Sequence, residues 1–200
     1  MNASRIKKID AIFDSEGPIV RASVLLENKF CSKDVAELVT DGYISKIKTG
    51  YYIRTPMMAE LSELELVSLL IPQGVISLFS AAQYHNMTTV NPTAISISLP
   101  KDMRTPTLPE HPPINIFKTI RRVYEVGIEE VQTQNCIIKV YDRERTVCDF
   151  FRMRLQYGED IALEVLKYYM SGKKNLQKLY EYAEVLQIKS VIRPYVEALL

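Results

Sequence analysis

The chain has little surplus charge, few cysteines and only two histidines, and each shortage closes off a class of protein. Twenty-five basic residues stand against 24 acidic ones, a formal net charge of +1 over 200 residues. A basic tail or a globally positive surface is therefore excluded, and any contact with nucleic acid has to be made by a local patch. Cys31, Cys136 and Cys148 form no C-x-x-C pair. An odd, scattered set suits reduced thiols better than a disulfide framework or a zinc site. His85 and His111 have no second histidine at ligand spacing. There is no Gly-rich phosphate loop, no internal repeat and no low-complexity segment. No apolar run approaches the roughly 20 residues that a membrane span needs, and the first ten residues lack a signal peptide's apolar stretch. These shortages predict a cytoplasmic chain with no cofactor, no metal and no membrane partner.

What is present is ordinary globular material, 47% hydrophobic and 24% charged. That is enough for a sizeable core, in one large domain or two small ones. Ile6, Ile9, Ile12 and Phe13 recur at helical spacing and predict a first helix that Gly17-Pro18 stops. A second helix is expected from Arg21 or Ala22, with Val24 and Leu25 inward, ending around Asn28 to Phe30. Ser32 is a natural N-cap for a third helix, and Asp34 in its first turn suits the helix dipole. Val35, Leu38 and Val39 give that helix its apolar side, and Asp41-Gly42 ends it. The period then changes: 43–47 and 51–54 are β-prone around a three-residue loop, Lys48-Thr49-Gly50, with glycine where φ turns positive. Three short helices and a tight basic hairpin are the order of a winged helix-turn-helix.

Downstream, 57–72 reads as one helix whose Glu60, Glu63 and Glu65 face no basic residue between Pro56 and Pro100. Residues 74–85 read as a strand-like start and a helix stopped by Asn86. Ile95, Ile97 and Leu99 alternate with Ser96 and Ser98, the pattern of a half-buried strand. The stretch 105–113, with four prolines, is a loop; 114–118 and 136–141 are strand candidates around a turn-rich middle. From Arg143 the chain reads helical, broken at Gly158, Ser171-Gly172 and Gln187. The expected fold class is α+β: a winged helix-turn-helix over 1–55, then a larger mixed α+β domain over 56–200 that ends in helices.

The chemistry concentrates in the first module. In a helix-turn-helix the second helix of the pair enters the major groove with its N-terminal residues nearest the base edges. That places Arg21, Ser32, Lys33, Glu37 and Thr40 as DNA-facing candidates, with Lys46, Lys48, Thr49, Tyr52 and Arg54 at a wing against phosphate. The bland alternative is that these lysines and arginines are simply solvated.

Several stretches resemble the AbiEi-type antitoxins. Residues 17–23 (GPIVRAS) are similar to the family's G-x-x-x-R start, and 42–52 (GYISKIKTGYY) to its G-x-L-x-R-x-R-x-G-x-Y wing, with Lys46 and Lys48 replacing arginines. Residues 76–85 (ISLFSAAQYH) resemble its V-I-S-x-x-S-A-x-x-x-H helix, 94–100 (AISISLP) its following strand, and 141–151 (YDRERTVCDFF) its E-R-T-x-x-D helix start. The resemblance implies an antitoxin of a type IV toxin–antitoxin pair, encoded beside a nucleotidyltransferase-like toxin. It further implies repression of its own promoter through the first domain and antitoxic activity in the second. Its partners would be double-stranded DNA and, directly or indirectly, the toxin.

Read without the resemblance, the same residues fit a winged-helix regulator whose second domain senses a ligand or partner. A nucleic-acid-cleaving enzyme needs a carboxylate or histidine cluster, and none assembles: Asp14 with Glu27-Asn28-Lys29 falls on predicted helices. No catalytic residue is therefore expected. Arg145 and Asp149, four apart on a predicted helix behind the N-cap Asp142, are expected to form an ordinary ion pair worth a few tenths of a kcal/mol. Tyr168, Tyr169, Tyr180 and Tyr182 fall at helical intervals and read as packing.

Overall fold

The computed structural model describes residues 3–200. The helices and strands run α1 (Ala3–Glu16), β1 (Ile19–Arg21), α2 (Ala22–Glu27), α3 (Ser32–Thr40), β2 (Ile44–Lys48), β3 (Tyr51–Arg54), α4 (Thr55–Glu60), α5 (Glu63–Leu70), β4 (Val75–Ile76) and α6 (Leu78–Tyr84). They continue with β5 (Ile95–Pro100), β6 (Ile114–Thr119), α7 (Arg121–Tyr124), β7 (Ile128–Gln132), β8 (Ile137–Tyr141), α8 (Arg143–Arg152), α9 (Arg154–Tyr157), α10 (Glu159–Ser171), α11 (Leu176–Val185) and α12 (Lys189–Glu197). The fold class is α+β, with two sheets: three strands ordered β1-β3-β2, and five ordered β6-β5-β4-β8-β7.

The first three helices close on one apolar centre. Ile9, Ile12 and Phe13 of α1 meet Leu25, Phe30, Val35, Leu38 and the inward Ile44 of the hairpin. This is the helical side of a winged helix, as the apolar spacing predicts. Asn86, at φ +55, does stop α6: it carries the left-handed turn that lets the Met87 N–H reach the Ala82 carbonyl at 2.7 Å.

The predicted single helix over 57–72 is two helices, and Ser62 is the reason. Its hydroxyl accepts the Glu65 N–H at 3.3 Å while the Glu65 carboxylate accepts the Ser62 N–H at 2.8 Å, a reciprocal cap that starts α5. The same carboxylate receives the Thr133 hydroxyl at 2.7 Å and the Asn135 side-chain amide at 3.2 Å, tying α5 to the β7–β8 turn. Glu65 thus needs no cation in a stretch that supplies none. Burial opposes its charge, but the bonds from Thr133, Ser62 and Asn135 outweigh it and hold the carboxyl at about 2, down from 4.5. A carboxyl lowered on folding stabilises above its unfolded value and loses that contribution as pH falls through the folded one, here between about 4.5 and 2. Glu65→Gln should therefore lower stability at pH 7 and flatten the acid limb across that window. Urea unfolding at a series of pH values measures both, and an unchanged limb would show that Glu65 carries no such linkage.

The strand β5 is a second departure. The alternation predicts one wet face, yet all six of its residues are buried. Ile95, Ile97 and Leu99 pack toward α5 and the wing sheet, and the serine side lies under α6, whose Ser80 hydroxyl accepts the Ser96 N–H at 2.9 Å. Ser96 is buried because a neighbouring hydroxyl satisfies its main chain, something alternation cannot reveal. The turn-rich middle between β6 and β8 likewise contains α7 and β7, the latter pairing antiparallel with β8.

On the far side of the five-stranded sheet, α8 is the central helix. Val147, Phe150 and Phe151 of α8 contact Leu166 and Tyr169 of α10, Leu179 of α11 and Ile192 of α12. Tyr169 is packing, as expected, while Tyr168 stands 40% exposed. Arg145 is no surface residue: it is 1% exposed, its Nε 3.1 Å from Asp149 Oδ1 and its guanidinium 4.0 Å from the centre of the Tyr141 ring. Its Nη1 donates to the carbonyls of Val126 (2.7 Å) and Val123. Gly127 backs this arrangement at φ +77, where a Cβ would stand 2.6 Å from the Arg145 Cβ. Asp142 caps α8 by accepting the Arg145 N–H at 2.7 Å, and its other oxygen receives Lys178 and Tyr182, each at 3.0 Å. The pair is the one the spacing predicts, but its burial removes it from the energy range of surface pairs.

One feature crosses the expected boundary at 55/56. Ile47 and Ile53 of the wing sheet join Leu66, Val67, Leu70, Ile71 and the β5 isoleucines in a single cluster. The helical face of the wing sheet belongs to the first module, and its other face is part of the second module's core.

Candidate nucleic-acid interface

The outward surface of α3 and the near side of the hairpin form the candidate interface. The α3 N-terminus is set one residue earlier than its sequence predicts. Cys31, not Ser32, is the cap, because Asp34 Oδ2 accepts the Cys31 N–H at 2.8 Å. Hydrogen bonds from Cys31, side chain and main chain, and the Arg5 guanidinium hold the Asp34 carboxyl below its usual value despite desolvation. Ser32 therefore occupies the first helical turn, exposed beside Lys33.

Lys33, Glu37 and Thr40 are exposed along α3, as predicted. The Thr40 hydroxyl donates back to the Ala36 carbonyl at 2.9 Å, which leaves its methyl group for outside contact. Val39 does not belong to the apolar interior as its spacing suggests; it is 38% exposed. With Leu26, Ala36 and the half-buried Tyr52 it lines a cleft of about 380 Å³ between α3 and the hairpin, and Lys46 and Ser32 stand at its edge. These exposed apolar residues are the part of the site that sequence reasoning missed. Their signal is a helix with more apolar positions than one buried face can use.

The hairpin divides the predicted wing cations. In a regular strand Lys46 and Lys48 would share a face. Here the register slips between them: Lys46 opposes Tyr52 and Lys48 opposes Tyr51, with Ile47 as the extra residue. The bulge turns Ile47 and Lys48 toward the second module. Lys48 is 8% exposed, donates to the Thr107 carbonyl at 2.8 Å and lies 4.3 Å from the Tyr51 ring centre. Desolvation, and then the nearby Arg21 charge, push its ammonium below its usual value. The expected loop of three shrinks to Thr49 and Gly50, with Gly50 at φ +79 and Thr49 exposed. Lys46 alone of the two lysines remains in solvent on the α3 side.

Arg54 is likewise drawn inward to the protein. Its Nη2 reaches Asp14 Oδ1 at 2.8 Å and the Asp10 carbonyl at 2.6 Å, and its guanidinium lies 5.4 Å from the Phe13 ring centre. It ties β3 to α1. Arg21 is exposed at the end of β1, 5.8 Å from the Tyr51 ring centre. The structure thus brings Ser32, Thr40, Lys46 and Tyr52 around one cleft, leaves Lys33 and Glu37 exposed on α3, keeps Arg21 and Thr49 at the hairpin, and commits Lys48 and Arg54 to internal contacts. Among the described residues no group of three or more His, Cys, Asp or Glu is placed to hold a metal ion, and no helix is long and apolar enough to cross a membrane.

No family model matches the chain, and no curated protein matches it. Among solved structures, the RV2827C protein from Mycobacterium tuberculosis is similar, with a TM-score of 0.52 over 99% of this chain and 80% of that one, at 14% sequence identity. The likeness is one of fold. It covers nearly the whole of this chain.

Proposed function

We propose that the protein is a DNA-binding autorepressor and the antitoxin of a type IV toxin–antitoxin pair, binding double-stranded DNA at its own promoter. The observation that carries the DNA half is the exposed edge of α3 with Lys46 beside it, the position a recognition helix and wing take against a major groove. Lys33 and Lys46 supply phosphate contacts. Ala36, Val39 and the Thr40 methyl supply the apolar surface that reads a thymine methyl. Glu37, exposed on the same helix, suits a cytosine amino group. The antitoxin half rests on the resemblance to AbiEi-type antitoxins alone, and it is tested by co-expression with the adjacent gene and scoring growth.

The DNA half is tested by salt. Lys46→Ala should weaken binding to promoter and unrelated DNA alike and reduce the log–log salt slope by roughly 0.9. Lys48→Ala should leave the slope unchanged, because its ammonium is held by the Thr107 carbonyl. Gel-shift titrations from low to moderate salt separate the two. An unchanged slope for Lys46→Ala would overturn the placement of the wing on DNA.

A further inference from the structure

A second cationic site, made of residues that the DNA reading does not use, lies at the edge of the five-stranded sheet, where β6 meets α8. Two adjoining hollows open there, of about 230 and 220 Å³, and they share Lys118, Thr119 and Arg152. Together they reach the lower end of the roughly 300–1,000 Å³ usual for small-molecule sites.

The first hollow is lined by Lys101, Lys118, Arg122 and Arg152 and by no acidic residue. Of the carboxylates near it in the chain, Asp102 pairs with Arg121 at 2.7 Å and Glu184 with Lys189 at 2.9 Å, while the Arg152 charge acts on Asp149 in the adjoining hollow. The Lys118 ammonium is engaged elsewhere, donating to the Met103 carbonyl at 2.6 Å from the opposite face of the strand. Lys101, Arg122 and Arg152 bring positive charge to this hollow, and an anion between them would be attracted to all three. Thr119 adds an independent sign. It is 8% exposed, it lines both hollows, and its hydroxyl is buried with no hydrogen-bond partner among the described residues. A buried hydroxyl left unpaired is costly, and a phosphate oxygen would satisfy it.

The second hollow has a different character. Phe117, Met153 and Leu78 give it apolar walls, and Ser98 and Asp149 give it polar atoms. Phe117 and Thr119 project from the same side of β6 because they are two residues apart on a strand, so one face serves both hollows. We infer that this site takes a nucleoside phosphate, its phosphates among Lys101, Arg122 and Arg152 and its base against Phe117 and Met153. Asp149 and Ser98 are the groups within that hollow suited to hydrogen bonding a base edge.

The assignment stands apart from the DNA reading, because none of these residues lies on α3 or the hairpin. Calorimetric titration of the full chain with ATP, GTP, tripolyphosphate and a short single-stranded oligoribonucleotide tests it. A nucleoside triphosphate should bind more tightly than tripolyphosphate, and Arg122→Ala and Arg152→Ala should each weaken it roughly tenfold. Both arginines are exposed, so the variants should keep the parent melting temperature without ligand. Lys33→Ala, on the α3 edge, should bind nucleotide unchanged. Absence of nucleotide binding, or tripolyphosphate binding as tightly as ATP and GTP, would overturn the proposal. So would an oligoribonucleotide that outcompetes both nucleotides, since it would move the site to nucleic acid.

Discussion

Arg145→Ala is expected to destabilise the fold by about 3–5 kcal/mol, the range for removing one member of a buried ion pair. The substitution strands the Asp149 carboxylate, which is 6% exposed, and leaves the Val123 and Val126 carbonyls without their donor. Burial already pushes the Asp149 carboxyl above its usual value, with the Arg145 charge working against that shift. Removing Arg145 takes away the main influences opposing burial and leaves the weaker Arg152 charge, so Asp149 should take up a proton more readily and the variant should recover part of its stability as pH falls. The loss is comparable with the whole stability of many domains. Urea unfolding measures it, and a second variant shows its origin. In Arg145→Met with Asp149→Leu neither charge is present, and replacing a buried pair by apolar groups is commonly near neutral. The double variant should therefore be more stable than Arg145→Met alone. If the two singles simply add, the pair is not coupled and the buried-charge account fails.

The second large effect is expected at Ile53, which is fully buried between the wing sheet and the α5–β5 layer. Ile53→Ala should cost about 2–5 kcal/mol, the usual range for such a truncation in a core. More tellingly, it should move a single unfolding transition of the full chain, because Ile47 and Ile53 belong to the second module's core as well as to the hairpin. Promoter binding should weaken along with stability, since the α3 edge and Lys46 are held in register by this sheet. Two transitions, of which only one shifts, would show that 1–55 and 56–200 fold independently. Residues 1–55 alone, in turn, would expose the apolar back of the hairpin to water and should bind DNA poorly for want of a stable wing.

Much of this was legible from local pattern. The periodicity of Ile9, Ile12 and Phe13, the stop at Gly17-Pro18 and the positive-φ Gly50 place α1 and the hairpin correctly, because these are properties of a short stretch of chain. Asp142 as an N-cap and the pairing of Arg145 with Asp149 follow from helical spacing in the same way. The α3 cap moved by one residue because Asp34, on the helix's first turn, reached back to Cys31.

What the chain could not display locally is what covers each surface. An alternating strand such as β5 has two faces, and whether the serine face meets water depends on α6 and α8, remote in sequence. Glu65 finds its donors at Thr133 and Asn135, almost seventy residues away, so its lack of a nearby cation carried no information. Lys46 and Lys48 look equivalent in the sequence, and a one-residue bulge between them sends one to solvent and the other to Thr107. Arg145 reads as a surface partner because i, i+4 spacing is blind to burial, and neighbours on β8, on α7 and in the turn after α7 make it internal. Sequence by itself determined the first three helices, the hairpin and the α+β class, since hydrogen bonding and apolar periodicity act over a few residues. Tertiary structure decided which charges stay in water, because desolvation depends on every element packed around a group.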